Sequence, residues 1–394
     1  MRPPGTSLPS SVSFLMALCA LVGWSASAPA QSQTSMHGGI EIGAKGVKAT
    51  VLQVTLDKQG RPTKVGKPRL NKTANTTLAV VEKDQMANRV KFKEAAIKET
   101  AEEVGKFFKL MQKDFRVPPE NIYVIASSGL PDATNKQALV RAVEEVTSDG
   151  AARAGKKLMF IDQSDEVRLS IMGLLRDEDL GTSVFVDVGS GSTKCGYIEQ
   201  ETKTSVQRMS IVKTRLEGTV SFTRRITGAM KDSSKDFVSV SDSLRDDRFT
   251  SPLRDELDRR PGLANRNSVF LSGGIVWALV TVIKPETVND PLVRITVADI
   301  EKFHQRLAKN PKVFPEPDLT TISDPKTREE AAKDVQRVRD TFTTENLLAG
   351  AEILRGIARA FRLEQPQKTI YFARNGYIAW IYAYVKESAL QPPR

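Results

Sequence analysis

The sequence predicts an α/β protein with two related domains that face each other across a cleft. Apolar residues with a period of two alternate along the chain with helical patterns, and this alternation is typical of α/β folds. The chain has 394 residues, and at roughly 150 residues per domain this length gives two to three domains. A strand, a glycine-rich turn and a second strand occur near the start of each half, at residues 39–56 and 183–200. These two similar segments are the reason to expect two related domains.

The first thirty residues predict a signal peptide. Residues 12–24 form a continuous apolar run, which is shorter than the about 20 residues that a transmembrane helix needs. An Ala-Pro-Ala cleavage signal follows at residues 28–30, so we place the cleavage before Gln31, with an uncleaved N-terminal anchor as the alternative. No later stretch reaches membrane-spanning length. The sequence therefore predicts an exported protein, periplasmic or extracellular, without an integral membrane segment after cleavage.

The other elements follow from the periodicity of the apolar residues. A helix is predicted over residues 91–114, where apolar residues recur at three- and four-residue steps between Lys and Glu, and a Pro-Pro pair ends it. Charged loops and helices are expected at 230–268, and a surface excursion at 309–327. The remaining predicted strands are 121–128, 157–161, 268–274 and 369–373, and the remaining predicted helices are 134–149, 165–176, 345–362 and 375–388. We assign the first domain to 37–180, the second to 181–368, and the C-terminal strand and helix to 369–394, with a return of this last segment to the first domain left open.

Charge and composition restrict the partners. Lys and Arg number 58 against 47 Asp and Glu, and the formal net charge of +11 favours polyanions. Two Cys and two His exclude a Cys/His zinc cluster and a disulfide framework. Signal cleavage would leave Cys195 as the single cysteine, and a buried, inert thiol is the ordinary outcome there. The sequence does not favour nucleic acid as a partner, because aromatic residues do not interleave with the basic ones.

The clearest candidate site is the turn that follows the strand at 183–188. Asp187 ends this strand, and small residues with two glycines follow it. Without bulky side chains, several backbone N–H groups can converge on one anion, and hydroxyls add donors. Asp187 could hold Mg²⁺ through water or orient an attacking water. The alternative is a plain hairpin turn with an Asp that caps its own loop.

Residues 39–52 (GIEIGAKGVKATVL) repeat this plan, with Glu41 before the turn and Lys48 after it. Two such turns on facing domains would hold a phosphate chain from both sides. Neither turn is a G-x-G-x-x-G opening a helix, and no Walker A lysine motif occurs, so the Rossmann and P-loop folds are excluded at the level of motifs.

The two turns resemble the two phosphate loops of the actin-like ATPase superfold, which is ribonuclease H-like, and residues 268–278 (SVFLSGGIVWA) resemble its third glycine motif. The intervening segments resemble the exopolyphosphatase and guanosine pentaphosphate phosphatase family. The similar segments are 122–136 (IYVIASSGLPDATNK), 160–174 (FIDQSDEVRLSIMGL), 346–358 (NLLAGAEILRGIA) and 369–382 (TIYFARNGYIAWIY). The order of these motifs along the chain is more specific than any one of them.

The resemblance implies release of terminal phosphate from polyphosphate or a related phosphoanhydride by water attack, with Mg²⁺ and backbone amides stabilising charge. It implies that Glu166 orients or deprotonates the water, although an acid at this position also suits an ordinary helix start. Asp187 and Glu41 would hold Mg²⁺ through water. The phosphate-binding residues would be Gly43, Lys45, Gly46, Lys48, Gly189, Ser190, Gly191, Ser192, Thr193, Lys194, Gly273 and Gly274.

Several residues depart from the family pattern. Lys194 stands where the second loop ends in Glu, and an ammonium cannot coordinate Mg²⁺. Pro131 stands where the family has a phosphate-binding Arg, and Ala44-Lys45-Gly46 replaces a Ser-Asn-Ser run. The leading hypothesis is an exported Mg²⁺-assisted exopolyphosphatase-like hydrolase. The alternative is a catalytically impaired polyphosphate- or nucleotide-binding module that uses the same cleft, and a homodimer is a further option.

Overall fold

The computed structural model describes residues 33–57, 59–84, 89–149, 154–200, 207–212, 216–231 and 234–390. The predicted signal peptide, residues 1–30, lies outside these ranges. Within them, none of the helices combines the length and the apolar character needed to cross a membrane.

The N-terminal part of the chain contains eight strands and four α-helices among the described residues. The strands are β1 (Gln33–Gly43), β2 (Gly46–Leu56), β3 (Pro62–Val65), β4 (Leu70–Asn75), β5 (Val81–Asp84), β6 (Arg89–Phe92), β7 (Ile122–Ala126) and β8 (Leu158–Phe160), and the helices are α1 (Glu94–Asp114), α2 (Lys136–Thr147), α3 (Gln163–Leu174) and α4 (Asp177–Leu180). The first sheet has the strand order β3-β2-β1-β7-β8, and β4 also pairs with β2. Strand β1 is antiparallel to β2 and parallel to β7, which is parallel to β8. Strands β5 and β6 form a separate hairpin.

The second sheet is built from the strands β9 (Ser183–Val188), β10 (Ser192–Gln200), β11 (Gln207–Ile211), β12 (Leu216–Glu217), β13 (Ser268–Ser272), β14 (Leu292–Ile295) and β15 (Thr369–Ala373). Their order in the sheet is β11-β10-β9-β13-β15-β14, and β12 pairs with β10. Strand β9 is antiparallel to β10 and parallel to β13. The helices are α5 (Thr219–Met230), α6 (Phe237–Arg245), α7 (Ser251–Asp258), α8 (Pro261–Ala264), α9 (Gly274–Ile283), α10 (Val297–Lys309), α11 (Pro325–Thr341), α12 (Thr344–Ala360) and α13 (Gly376–Leu390).

The two sheets share one plan. Each begins with an antiparallel hairpin whose first strand also pairs in parallel with a later strand. In the first hairpin Glu41 lies opposite Lys48, and in the second Asp187 lies opposite Lys194. Both pairs therefore consist of an acid before the turn and a lysine after it, at the same spacing in the sequence. The prediction of two similar strand-turn-strand segments is confirmed.

Helix α3 lies between the two sheets and contributes to two apolar clusters. Val167 and Ile171 pack with Phe185 of β9 in one cluster. Leu169 packs with Ile125 of β7 in the other. Because its two apolar sides are buried against different sheets, the start of α3 is fixed at the place where the two halves of the chain meet.

The C-terminal segment crosses from the second sheet to the first. Strand β15 pairs with β13 and β14 in the second sheet. Helix α13 then lies on the first sheet, where Ile381 and Val385 approach Gly39 of β1 so closely that a Cβ at that glycine would lie 2.5 Å from Val385. Strand and helix of the segment 369–394 are thus associated with different sheets.

Candidate functional site

A cavity of about 810 Å³ lies where the glycine turns of the two sheets meet. Its lining combines residues of the glycine turns with apolar side chains such as Ile275, Trp277 and Phe342. All but one of the residues proposed from the sequence line it, namely Glu41, Gly43, Lys45, Gly46, Lys48, Glu166, Asp187, Gly189, Ser190, Gly191, Ser192, Lys194, Gly273 and Gly274. The exception is Thr193, which is buried on the other side of β10 and donates its hydroxyl to the carbonyl of Glu217 at 2.7 Å.

The most tightly bonded part of the site is the pair Lys194 and Glu166. The Nζ of Lys194 lies 2.6 Å from Oε1 of Glu166, and the two side chains are only 5% and 4% exposed. Ser127 places its hydroxyl 3.1 Å from both carboxylate oxygens, and the backbone N–H of Ser128 donates to Oε2 at 2.8 Å. The carboxylate of Glu166 is therefore surrounded by donors from β10 and from the loop that follows β7.

These contacts set the charge of the pair. Burial disfavours the charged form of Glu166, but Lys194 and the donors from Ser128 outweigh it and hold the pKa of Glu166 below its ordinary value. Burial likewise opposes the charge of Lys194, but Glu166 and Asp187 raise its pKa above the ordinary value. The pair is therefore ionised at neutral pH. A carboxylate with a lowered pKa and saturated oxygens is a poor acceptor for a proton from water.

A second lysine pairs with the first hairpin's acid. Nζ of Lys48 donates to Oε1 of Glu41 at 2.8 Å, whereas the buried Oε2 of Glu41 has no hydrogen-bond partner among the described residues. Burial raises the pKa of Glu41 despite the opposing charge of Lys48. Burial also raises the pKa of Asp187, against the opposing charge of Lys194. Three acids and two lysines thus interact with one another. We call this group the five-residue charge cluster, and its members are Glu41, Lys48, Glu166, Asp187 and Lys194.

The second turn has the free backbone donors that anion binding requires. Within the described part of the chain, the N–H groups of Ser190 and Gly191 have no acceptor in the protein. The turn is held from outside, because Thr219 at the start of α5 donates its N–H to the carbonyl of Gly189 at 3.0 Å. A Cβ at Gly191 would lie 2.4 Å from the carbonyl oxygen of Gly129, so only glycine allows the two loops to approach this closely. The turn can therefore offer backbone N–H groups to an anion.

The third glycine motif joins β13 to α9. Gly273 has a φ of +104°, and a Cβ there would lie 2.2 Å from the carbonyl oxygen of Val188. Glycine is required for both reasons. Helix α9 begins at Gly274 on the wall of the cavity, and the first N–H groups of a helix are available to an anion.

Lys45 spans the cavity to the second half of the chain. Its Nζ donates to the carbonyl of Thr341 at 3.3 Å and to Oδ1 of Asn346 at 3.1 Å, and it lies 4.9 Å from the ring centre of Phe342. Burial lowers the pKa of Lys45 to about 8, because none of these three partners carries a charge. Lys45 therefore connects the first turn to the junction of α11 and α12.

The residues do not fit a Mg²⁺ site. Mg²⁺ requires free oxygen ligands in near-octahedral geometry, but both oxygens of Glu166 already accept hydrogen bonds, and lysine ammonium groups pair with Glu166 and Glu41. Among the described residues, no group of three or more His, Cys, Asp and Glu side chains has the arrangement of a metal site. A cation that Glu41 and Asp187 were expected to hold through water would find only Oε2 of Glu41 and the carboxylate of Asp187 without a lysine at hydrogen-bond distance among the described residues. The ammonium groups of Lys48 and Lys194 beside these oxygens would repel it.

Several other cavity residues were not proposed from the sequence. Ser127, Ser128 and Gly129 follow β7, and only the motif resemblance of residues 122–136 pointed to their loop. The far end of the cavity holds a polar group around Asp334, which accepts from the indole of Trp277 at 3.1 Å and from Arg374 at 3.3 Å. Residues of α9, α11 and the segment after β15 meet here only in the folded chain, so no local pattern could have found them.

Residues 70–365 match the Ppx/GppA phosphatase family. The chain belongs to this family. The matched range includes Glu166, Asp187 and Lys194, and it leaves out the first hairpin and α13. The motif resemblance found in the sequence is therefore confirmed at the level of the family.

Solved structures of family members have the same fold. The Ppx/GppA family member from Aquifex aeolicus has a TM-score of 0.54 at 18% identity, over 90% of this chain and 99% of that one. An exopolyphosphatase from Cytophaga hutchinsonii has a TM-score of 0.56 at 11% identity, over 90% and 98%. These likenesses confirm the predicted α/β fold with two actin-like domains.

One further relative is similar to this chain over a short segment only. Retrograde regulation protein 2 of Saccharomyces cerevisiae is 33% identical over 93 residues, which are 24% of this chain and 15% of that protein. The chain thus matches only a small part of the length of this relative.

Proposed function

We propose that the protein binds inorganic polyphosphate, or a related phosphoanhydride, in the cleft between its two domains. The observation that carries this proposal is the meeting of three glycine motifs on one cavity of about 810 Å³. The free N–H groups of Ser190 and Gly191 and the first turn of α9 supply donors for phosphate oxygens. The formal net charge of +11 favours the approach of a polyanion.

Hydrolysis of the terminal phosphate is the second candidate, and membership of a phosphatase family favours it. In this mechanism Glu166 would orient the attacking water, and the glycine turns would stabilise the negative charge that develops on phosphate oxygens. The ion pair with Lys194 opposes proton transfer to Glu166. We therefore expect that the protein binds the phosphoanhydride but hydrolyses it slowly.

Calorimetry with long-chain polyphosphate and an assay of released phosphate separate the two activities. The variant Ser190→Asp adds a negative charge to the second turn and should weaken binding at least tenfold. Ser251→Asp is the matched control, because Ser251 is an exposed residue at the start of α7. Phosphate release that is lost in Glu166→Gln while binding persists would support the hydrolase. Undiminished binding in Ser190→Asp would contradict the assignment of the cleft.

We also propose that the protein is exported, since the apolar run at 12–24 and the Ala-Pro-Ala segment at 28–30 have the form of a signal peptide. Mass spectrometry of the protein isolated from its native cells should find a mature N-terminus at Gln31, outside the cytoplasm. A full-length chain in the cytoplasmic fraction would contradict export.

A further inference from the structure

The five-residue charge cluster contains its own counter-charge. Glu41, Glu166 and Asp187 contribute three negative charges, and Lys48 and Lys194 contribute two positive charges. A cluster of acids at a phosphate site ordinarily needs a divalent cation to balance its negative charge. Here the ammonium groups of Lys48 and Lys194 already supply that positive charge.

We propose that Lys48 and Lys194 replace a divalent cation in this cleft, so that the protein binds its phosphoanhydride without a metal ion. The proposal rests on the proposed function, because it concerns the same ligand in the same cavity. Lys194 contributes more to this replacement of the cation than Lys48 does. Its charge acts on Glu166, Asp187 and Glu41 together, and its side chain is almost completely buried.

The charge balance explains why the residue at position 194 alone can remove the need for a divalent cation. A carboxylate at position 194 would change the cluster's charge by two units, which equals the charge of one Mg²⁺ ion. The cluster would then hold four acids against Lys48 alone. Lys194 therefore makes a bound dication unnecessary, and the two ammonium groups repel one that approaches. Lys48 is 26% exposed at the cavity, so its remaining N–H groups are accessible to a phosphate oxygen.

The first experiment uses the unmodified protein. Calorimetry measures its affinity for polyphosphate in EDTA and in Mg²⁺ at matched ionic strength, and a thermal melt records its response to Mg²⁺ alone. We expect affinity in EDTA within about threefold of that in Mg²⁺, and no shift of the melting midpoint on addition of Mg²⁺. Binding that occurs only with Mg²⁺ would overturn the inference and leave the proposed function standing. Absence of binding in both buffers would overturn both.

The second experiment uses a variant that should require a divalent cation. The variant Lys194→Glu should lose polyphosphate binding in EDTA by at least tenfold, and Mg²⁺ should raise its melting midpoint and restore binding. Lys326→Glu is the matched control, because Lys326 is exposed at the start of α11 and far from the cluster in the sequence. A folded Lys194→Glu protein that does not respond to Mg²⁺ would contradict the replacement. Should this variant not fold, the EDTA comparison on the unmodified protein still decides the question.

Discussion

Replacement of Lys194 by methionine tests the central ion pair, because it removes the ammonium and keeps most of the side-chain volume. Glu166 would remain buried with donors only from Ser127 and Ser128. Removing one partner of a buried pair costs about 3–5 kcal/mol, because an uncompensated charge stays inside the protein. At about 2–4 °C per kcal/mol for a domain of this size, the melting midpoint should fall by roughly 6–20 °C.

The dependence on pH gives an independent check of this reasoning. The pKa of Glu166 is lowered in the folded protein, so its ionised form stabilises the fold above the ordinary carboxyl pKa, and this contribution is lost as the pH falls through the lowered folded value. In Lys194→Met, burial without the ammonium should raise that pKa instead. The difference in the free energy of unfolding between Lys194→Met and the unmodified protein should therefore become smaller as the pH falls from 7 to 5, because Glu166 of the variant then takes up a proton.

Urea unfolding at pH 7 and pH 5 measures both effects. The double variant Glu166→Gln/Lys194→Met should recover part of the loss, since no unpaired charge remains. Lys333→Met is the matched control: Lys333 lies 2.6 Å from Glu329, the same distance as in the buried pair, but these side chains are 67% and 66% exposed. The control should not change the midpoint measurably. A Lys194→Met protein as stable as the control, or a double variant no better than the sum of the single losses, would refute the argument.

Three further predictions concern other parts of the chain. Gly273→Ala should destabilise the protein by about 2–5 kcal/mol, because alanine meets a positive φ and the carbonyl of Val188 together, and urea unfolding measures this loss. The polyphosphate affinity should fall roughly tenfold between pH 7 and 9.5 as Lys45, with a pKa of about 8, loses its charge; calorimetry on Lys45→Met should find this dependence flattened. Glu352→Gln should cost about 3–5 kcal/mol in thermal or urea unfolding, because Glu352 is fully buried and pairs with Arg245 at 2.7 Å.

Each of these predictions has a control or a contradicting outcome. Gly228 lies in α5 with open space around its Cβ position, so Gly228→Ala should leave the protein equally or more stable. Equal losses in Gly228→Ala and Gly273→Ala would show that the close contact is not the cause. A pH dependence that persists in Lys45→Met would assign the titration to another group. A Glu352→Gln protein as stable as the unmodified one would mean that the surrounding charges redistribute at no cost.

The sequence by itself indicated the family and many of the elements, because both depend on local patterns. The period of the apolar residues is a property of neighbouring residues, and it located α1 and the strands β7 and β9 to within a few residues. The two glycine turns were visible because close backbone approach restricts the choice of residue. Thr193 was assigned to the phosphate site as part of the turn after residue 188. However, β10 already begins at Ser192, so alternation along this strand directs Ser192 and Lys194 to the cavity and Thr193 to the opposite face.

Only the tertiary structure decided the partners of the charged residues. The sequence suggested phosphate as the partner of Lys194 and Lys45, but Lys194 pairs with Glu166, and Lys45 contacts uncharged groups at the junction of α11 and α12. These contacts join residues that are 28 and up to 301 positions apart in the chain. A buried charge must find a compensating group, and which group is within reach depends on how α3 packs between the sheets. That packing is a property of the whole fold, and no local pattern contains it.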